Sequence, residues 1–530
     1  MKEISRNNFI GHGLFLLFTL VFIAYKWEHL HLPYFWDESW VYAPAVKTLA
    51  RHGASLLPAA LDPEFSRGHP LFFHFLGALW INIWGESLVS LHSFALFLSI
   101  LLAYFTFYFT SKFTKNQITG SFSALLLYAQ GIFIAQSAMV LPEVFLSLLI
   151  LLAFWFYIQS NYLALCISLS IGLQTKESFL IAFGILAGFE LLSTIQKIIK
   201  KQFRFSFKKL LCFLIPILLL FIFFLFQKSA YGWYLYPTHL GMIKWEQWSI
   251  AYNLRTLLDF AFLQQGRFVL FYLSLFLSLY VFIKKDNKTL IIALIAFAFF
   301  VWFLVFKEKY TSTTWLPLSA SICFLSWVFL IIMKEKPSGQ FYKFSLLAMG
   351  FSMAYSSFCV INFFSIRYIT CLIPLFIVYS VVVLSKFSKK RPIFVYVFLF
   401  FCSGYTLFEN HKPLGIGDVE LSFLPALKTQ QELVKYCEKS NFYKLPIYAP
   451  FLDNNNLGQP LSGFKSNSDI FERIHGHYTP KADSILIFNN IEKDFMKDSI
   501  LRDGDYKLIK VIENEMVKSE IYRYQGSGNK

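Results

Sequence analysis

The 530-residue sequence is short of charge: Asp, Glu, Lys and Arg together make up 15% of it. A soluble chain of this length needs more polar side chain than that to cover its surface, so a purely aqueous fold is excluded. Handles for soluble nucleotides are missing too, because neither a P-loop nor a complete GxGxxG occurs. No HExxH and no cysteine cluster is present, which removes the common zinc-site patterns. The paired histidines His29/His31 and His475/His477 stand without further ligands and read as incidental. Seven cysteines occur without a CxxC, and six of them (Cys166, Cys212, Cys323, Cys359, Cys371, Cys402) sit inside apolar runs. They read as small hydrophobes, and Cys437, in a polar stretch, has no evident partner, so a disulfide framework is excluded. The sequence also lacks internal repeats and low-complexity tracts.

What remains is apolar. Hydrophobic residues reach 56%, phenylalanine alone numbers 64, and the mean hydropathy is +0.53. Runs long enough to cross a bilayer recur along the chain. The first, Phe9 to Tyr25, has no small-residue cleavage site after it and reads as a retained span. The net charge of +16 suggests nucleic acid only until its positions are noted. Lys and Arg cluster in short loops between spans, at 112–115, 197–209, 284–288, 334–343 and 386–391, which is the positive-inside pattern. Nucleic acid is therefore not an expected partner; membrane lipid is.

With the N-terminus in the cytoplasm, about 13 spans put each of those loops inside and the C-terminal tail outside. The expected fold class is an all-α polytopic membrane bundle with interfacial helices in the first outer loop and a small extracytoplasmic α/β domain. The expected boundaries are 1–409 for the membrane domain, with the first outer loop at 28–87, and 410–530 for the outer domain. In the latter, 426–440 reads as an amphipathic helix and 445–451, 484–489, 506–512 and 519–524 as short strands. The expected location is the plasma membrane, the inner membrane of a bacterium.

The chemistry-bearing residues lie at the outer ends of the spans. Asp37 and Glu38 sit among aromatics in the stretch Pro33-Tyr34-Phe35-Trp36-Asp37-Glu38-Ser39-Trp40. Asp37 is readable as a helix N-cap or as a general base, and the two roles are compatible. Glu143 follows Pro142 at the start of the fourth span, where a carboxylate is expensive unless it faces protein or water. Lys176 and Glu177 interrupt an apolar run and either pair with one another or offer a cation to a phosphate. Arg367 and Lys309 stand alone between apolar spans on the same side, and Arg67 and His69 end the first outer loop. Each cation taken singly is explained by a snorkelling side chain; together on one side they suit an anionic headgroup, most simply a phosphate.

The order of these segments resembles the GT-C superfamily of glycosyltransferases. The residues that carry the resemblance are Asp37-Glu38, Gly68-His69-Pro70-Leu71, Pro142-Glu143, Thr175-Lys176 and Arg367-Tyr368 with Pro374. The branch is that of the protein O-mannosyltransferases and the lipid A aminoarabinose transferases, and the likeness covers about residues 1–410. Two positions depart from the pattern: Glu143 stands where many relatives have Asp, and Lys176-Glu177-Ser178 where many have Lys-Gly-Pro. The resemblance implies an inverting transferase that moves a sugar from a polyprenyl-phosphate carrier to an extracytoplasmic acceptor. It implies Asp37, with Glu38 beside it, as the catalytic carboxylate and Glu143 as the second acid. Lys176, Arg367, Arg67, His69 and Lys309 are implied to hold the donor phosphate. No obligatory cofactor is implied, which leaves room for a divalent metal. The alternative readings are a lipid-linked glycan polymerase or ligase, and a transporter or flippase of lipid-linked substrates.

Overall fold

The computed structural model describes residues 2–202, 205–243, 246–270, 339–362, 365–388, 391–410, 415–465, 469–479, 483–491, 497–503 and 505–526. The spans expected over 271–338, and Lys309 with them, lie outside the described residues, so the expected count of spans rests on the sequence alone. Among the described residues, seven helices are long and apolar enough to cross a membrane.

The bundle begins with α1 (Lys2–Lys26), then α2 (Ala43–His52) and α3 (Phe72–Trp84), and the long α4 (Leu88–Thr114). Next come α5 (Gln117–Tyr128), α6 (Gly131–Gln136), α7 (Glu143–Ile158), α8 (Tyr162–Leu173), α9 (Leu180–Ile199) and α10 (Phe207–Tyr231). After α11 (Gln247–Leu258), α12 (Gln340–Ile361), α13 (Ile373–Phe387) and α14 (Pro392–Glu409) complete the described bundle. Helix α5 is flanked by α1, α4, α13 and α14, while α8 packs between α7 and α10. Helix α13 is the most enclosed long segment, whereas α1, α9, α10 and α14 present exposed Leu, Ile and Phe outward, as helices facing lipid do.

The apolar stretch over 119–138 does not form one helix but breaks into α5 and α6. A break in an apolar environment strands peptide groups, and side chains from distant elements take them up. Asn410 Nδ2 donates to the Ala129 carbonyl (2.8 Å) and the Ile132 N–H donates to Gln265 Oε1 (3.0 Å). The fully buried Arg267 donates to Gln130 Oε1 (3.1 Å) and Gln265 Oε1 (3.0 Å). The reorganised backbone turns residues 137–142 toward the first outer loop, where the Val140 N–H reaches Glu38.

From Phe423 the pattern changes to that of a water-facing fold. Helix α15 (Phe423–Lys439) lies on a five-stranded sheet of β1 (Ile447–Tyr448), β2 (Ile474–His475), β3 (Ile485–Asn489), β4 (Tyr506–Asn514) and β5 (Val517–Tyr524). The order is β2-β1-β3-β5-β4; β1 runs parallel to β2 and β3, and β5 pairs antiparallel with β3 and β4. Leu433, Val434, Ile447, Ile485, Ile487 and Ile521 form its interior, and Cys437 is buried with them rather than lying in a polar setting.

This domain rests directly on the loop that carries Asp37. The Tyr34 N–H donates to the Ser462 carbonyl (3.4 Å) and Lys47 Nζ to the Leu461 carbonyl (3.3 Å). Phe451 meets the rings of Trp36 and Trp40 edge-on, and Phe423 packs on Phe35. Burial here pushes the Lys47 ammonium down to about 8, with Glu86 and Glu38 opposing that shift.

Candidate active site

Five chain segments bring charged side chains to one end of the bundle. Residues 38–42 form a wide π-type turn, and Asp37 immediately precedes it with helical backbone angles and no capping hydrogen bond from its side chain. The N-cap reading of Asp37 is therefore not what the structure shows; its carboxylate points elsewhere. Pro142 supplies the N-cap of α7 and places Glu143 in the first helical turn. Lys176 is extended (φ −161°, ψ 140°) between α8 and a short 3₁₀ turn, Glu177–Phe179. Arg367 sits in a second 3₁₀ turn, Ile366–Cys371, at the entry to α13.

Arg367 is the hub. Its Nη2 donates to Asp37 Oδ2, its Nη1 donates to Asp418 Oδ2 at 2.9 Å, and its Nε lies 3.6 Å from Glu143 Oε1. Lys176 Nζ donates to the same Glu143 oxygen at 3.0 Å and stands 4.8 Å above the Tyr368 ring. Trp40 Nε1 fixes the other Asp37 oxygen at 3.0 Å. Glu143 is completely buried, Lys176 and Arg367 nearly so, and Asp37 keeps 22% of its side chain exposed. So the inner cluster holds three carboxylates against two cations, one negative charge in excess. Within the set Lys176 and Glu143 form the most deeply buried pair, and removing one of those two strands the other, at a cost of about 3–5 kcal/mol.

Two buried atoms in this cluster lack a hydrogen-bond partner among the described residues: Glu143 Oε2 and Arg367 Nε. An unsatisfied buried polar atom costs about 1–3 kcal/mol and calls for an explanation. A donor and an acceptor left open beside one another can take an oxygen-bearing ligand group or a water.

The remaining expected residues fall into a second group. His69 Nδ1 contacts Glu177 Oε2 at 2.6 Å, and its ring lies 5.0 Å from that of His239. Arg67, in the left-handed conformation (φ 51°), stacks 4.2 Å over Trp40 and faces Glu64 at 3.9 Å. Neither Arg67 nor His69 makes an ion pair with the inner carboxylates among the described residues. They adjoin that cluster through Trp40 and through the chain neighbours Lys176 and Glu177. The possible Lys176–Glu177 pair is replaced by two pairs pointing in different directions, because the extended backbone at Lys176 sends consecutive side chains to opposite sides. No group of three or more His, Cys, Asp or Glu among the described residues is arranged to hold a metal ion.

Glu38, expected beside Asp37 in the catalytic pair, points away from the Arg367 cluster. It is buried, and its oxygens accept from the Phe35 N–H (3.1 Å) and the Val140 N–H (2.8 Å), with His92 Nε2 at 3.0 Å. His92 in turn contacts the Leu30 carbonyl through Nδ1 (3.0 Å). Glu38 thus locks the first outer loop to α4 and to the α6–α7 connection. The π-type turn sends it inward while its neighbour Asp37 faces Arg367.

Asp418 was not foreseen from the sequence. It lies in the segment between α14 and α15, in a stretch that reads only as the start of the soluble tail. Burial raises its carboxyl above the ordinary Asp range, against the opposing pull of Arg367.

Comparison with known proteins gives no matching family model and no matching curated protein. Among solved structures, the chain is similar to ArnT from Cupriavidus metallidurans in the apo state, at 11% identity and a TM-score of 0.47, with 96% of this chain and 98% of that one covered. It is similar also to ArnT from the same organism bound to undecaprenyl phosphate, at 10% identity and a TM-score of 0.44 over the same shares.

Proposed function

We propose that this chain is an integral-membrane inverting glycosyltransferase of the GT-C kind, moving a sugar from a polyprenyl-phosphate carrier to an acceptor outside the cytoplasm. The observation that carries the reading is the convergence of Asp37, Glu143, Lys176 and Arg367, from four separate segments, in one cluster at one end of a membrane bundle. Those four were singled out by the sequence pattern, and widely spaced acids and bases have no structural need to meet. In this reading residues 1–409 form the catalytic membrane domain, 410–530 form an extracytoplasmic domain, and the N-terminus is cytoplasmic.

The chemistry uses what the cluster offers. The donor's anomeric carbon is already activated by its phosphate, so transfer requires one displacement. The acceptor hydroxyl loses its proton to Asp37, the exposed carboxylate of the set, and its oxygen attacks from the face opposite the phosphate. The C1–O bond to phosphate breaks, and the developing phosphate charge falls on Arg367 and Lys176, cations already fixed in a water-poor site. Glu143 holds both cations in register from its buried position on α7. Arg67 and His69, and Lys309 by the same resemblance, would assist with the phosphate from outside the inner cluster.

The test incubates purified protein with a panel of radiolabelled polyprenyl-phosphate sugars, one at a time, with extracted envelope lipids and glycans as acceptors. The expected result is that one label leaves its lipid, and that Asp37→Asn abolishes this while leaving lipid binding intact. A protein that moves label across a vesicle bilayer without breaking the sugar–phosphate bond, and does so equally with Asp37→Asn, is a transporter instead. Movement of a whole oligosaccharide in place of one sugar marks a polymerase or ligase.

A further inference from the structure

If Arg367 takes the donor's phosphate, its present partners pose a problem. Both terminal nitrogens of the guanidinium already hold a carboxylate, Asp37 on Nη2 and Asp418 on Nη1, while Nε stands 3.6 Å from Glu143 without a hydrogen bond. A planar fork receives a phosphate best through two parallel N–H bonds, and neither terminal nitrogen is free. The cluster also carries one negative charge in excess, so a phosphate added to it meets net repulsion. A swap of one anion for another avoids both difficulties.

The three carboxylates differ in how firmly they are held. Glu143 is wholly buried on a helix and bonded to Lys176. Asp37 is fixed through its second oxygen by Trp40. The Asp418 carboxylate has Arg367 as its one hydrogen-bond partner among the described residues. Its backbone, by contrast, is anchored: the Asp418 carbonyl accepts from Gln136 Nε2 at 2.6 Å, and the Val419 carbonyl from Gln265 Nε2 at 3.1 Å. The side chain can therefore turn away by rotation about its own bonds while the segment stays in place.

We propose that Asp418 is an internal stand-in for the donor's phosphate, holding Nη1 of Arg367 until a polyprenyl phosphate displaces it. Asp418 is then a positioning residue. It keeps the guanidinium aligned with Asp37 before the donor arrives, and it sets a threshold that weak anions do not pass. This rests on the reading of Arg367 as the phosphate-holding residue.

The test measures binding of a polyprenyl monophosphate to the full-length protein in detergent, for wild type, Asp418→Asn, Asp418→Ala, Arg367→Gln and the Asp418→Asn/Arg367→Gln pair. Removing a competitor for Arg367 should tighten binding, by about fivefold or more, in both Asp418 variants. The gain should vanish in the pair, since it acts only through the arginine. Asp418 variants that bind equally or more weakly overturn the proposal while leaving the donor reading intact; a purely structural residue would lose binding together with thermal stability. Wild-type binding that ignores Arg367→Gln overturns the donor reading, and this inference with it.

Discussion

Asp37 and Glu38 are chain neighbours with the same chemistry, and the structure predicts opposite consequences for neutralising them. In Asp37→Asn, Arg367 keeps Asp418 at 2.9 Å and Glu143 at 3.6 Å, so no cation is stranded. Stability should change by about 1 kcal/mol or less, as for other partly exposed pairs. Transfer should fall by roughly 10²–10⁴-fold, the usual worth of a positioned general base. In Glu38→Gln, a carboxylate that accepts from two backbone N–H groups and faces His92 becomes an amide with one acceptor oxygen. Its NH₂ must then face a donor, and each group left unsatisfied in that interior costs about 1–3 kcal/mol. Glu38→Gln should lower the thermal midpoint clearly and, at a temperature where it is still folded, retain most of its transfer rate. The assays are label release from the lipid donor and thermal unfolding of the purified protein, run side by side. A folded Glu38→Gln without activity, next to an active Asp37→Asn, would refute the assignment and make Glu38 the base.

Three further outcomes follow from particular contacts. Lys176→Met leaves the buried Glu143 with only the more distant Arg367, and should destabilise the protein by about 3–5 kcal/mol in denaturant titration; the Lys176→Met/Glu143→Gln pair should recover part of that loss. Gly68 has φ +71° and a Cβ there would lie 2.7 Å from Tyr236 Cβ, so Gly68→Ala should cost more than about 1 kcal/mol and speed hydrogen exchange across the 63–70 and 231–240 loops. In the C-terminal domain, burial would raise the Glu520 carboxyl, but hydrogen bonds from Lys497, Lys518 and Tyr522 outweigh it and hold the group at about 2. A depressed folded-state value means that this stabilisation is present above the ordinary value of 4.5 and is lost as pH falls toward about 2. Glu520→Gln should therefore lower thermal stability near neutral pH and flatten its decline over that acid range.

The seven long apolar helices among the described residues were legible because a span is a length requirement, and long apolar runs satisfy it whatever their neighbours. Local chemistry was legible for the same kind of reason: Pro142 before Glu143 and the polar break at Lys176 mark helix ends in any context. Legibility stopped where direction mattered. The α5–α6 break falls at Ala129-Gln130 in an otherwise largely apolar stretch, and what permits it is Asn410, Gln265 and Arg267 arriving from far along the chain. The sequence reading coupled Glu38 to Asp37 because they are adjacent, but the turn that separates them is set by Val140 and His92. The two-residue strand β2 has no alternating pattern to detect. Asp418 sits between two better-marked elements, and only its arrival at Arg367 distinguishes it from any other loop acid.

The position of the C-terminal domain bears on how such a site could be kept closed to water. Trp40 joins three contacts at the cluster's rim: it donates to Asp37, lies under Arg67 and packs edge-on against Phe451 of the C-terminal domain. The guanidinium of Arg67 over its ring is worth about 0.5–2 kcal/mol, more as the pair is desolvated. The C-terminal domain is thereby coupled to Asp37, the partly exposed carboxylate, through one indole, and to Arg367 through Asp418 in the segment that leads into it. Its seat on Tyr34 and Lys47 holds both contacts at once. A domain that only decorated the membrane bundle would have no reason to touch the same ion cluster by two routes. Trp40→Phe separates the indole's two roles, since it removes the hydrogen bond to Asp37 and keeps the ring against Phe451 and Arg67. A loss of transfer with unchanged protease resistance of the C-terminal domain would assign Trp40 to aligning the carboxylate; release of that domain to protease would assign it to docking.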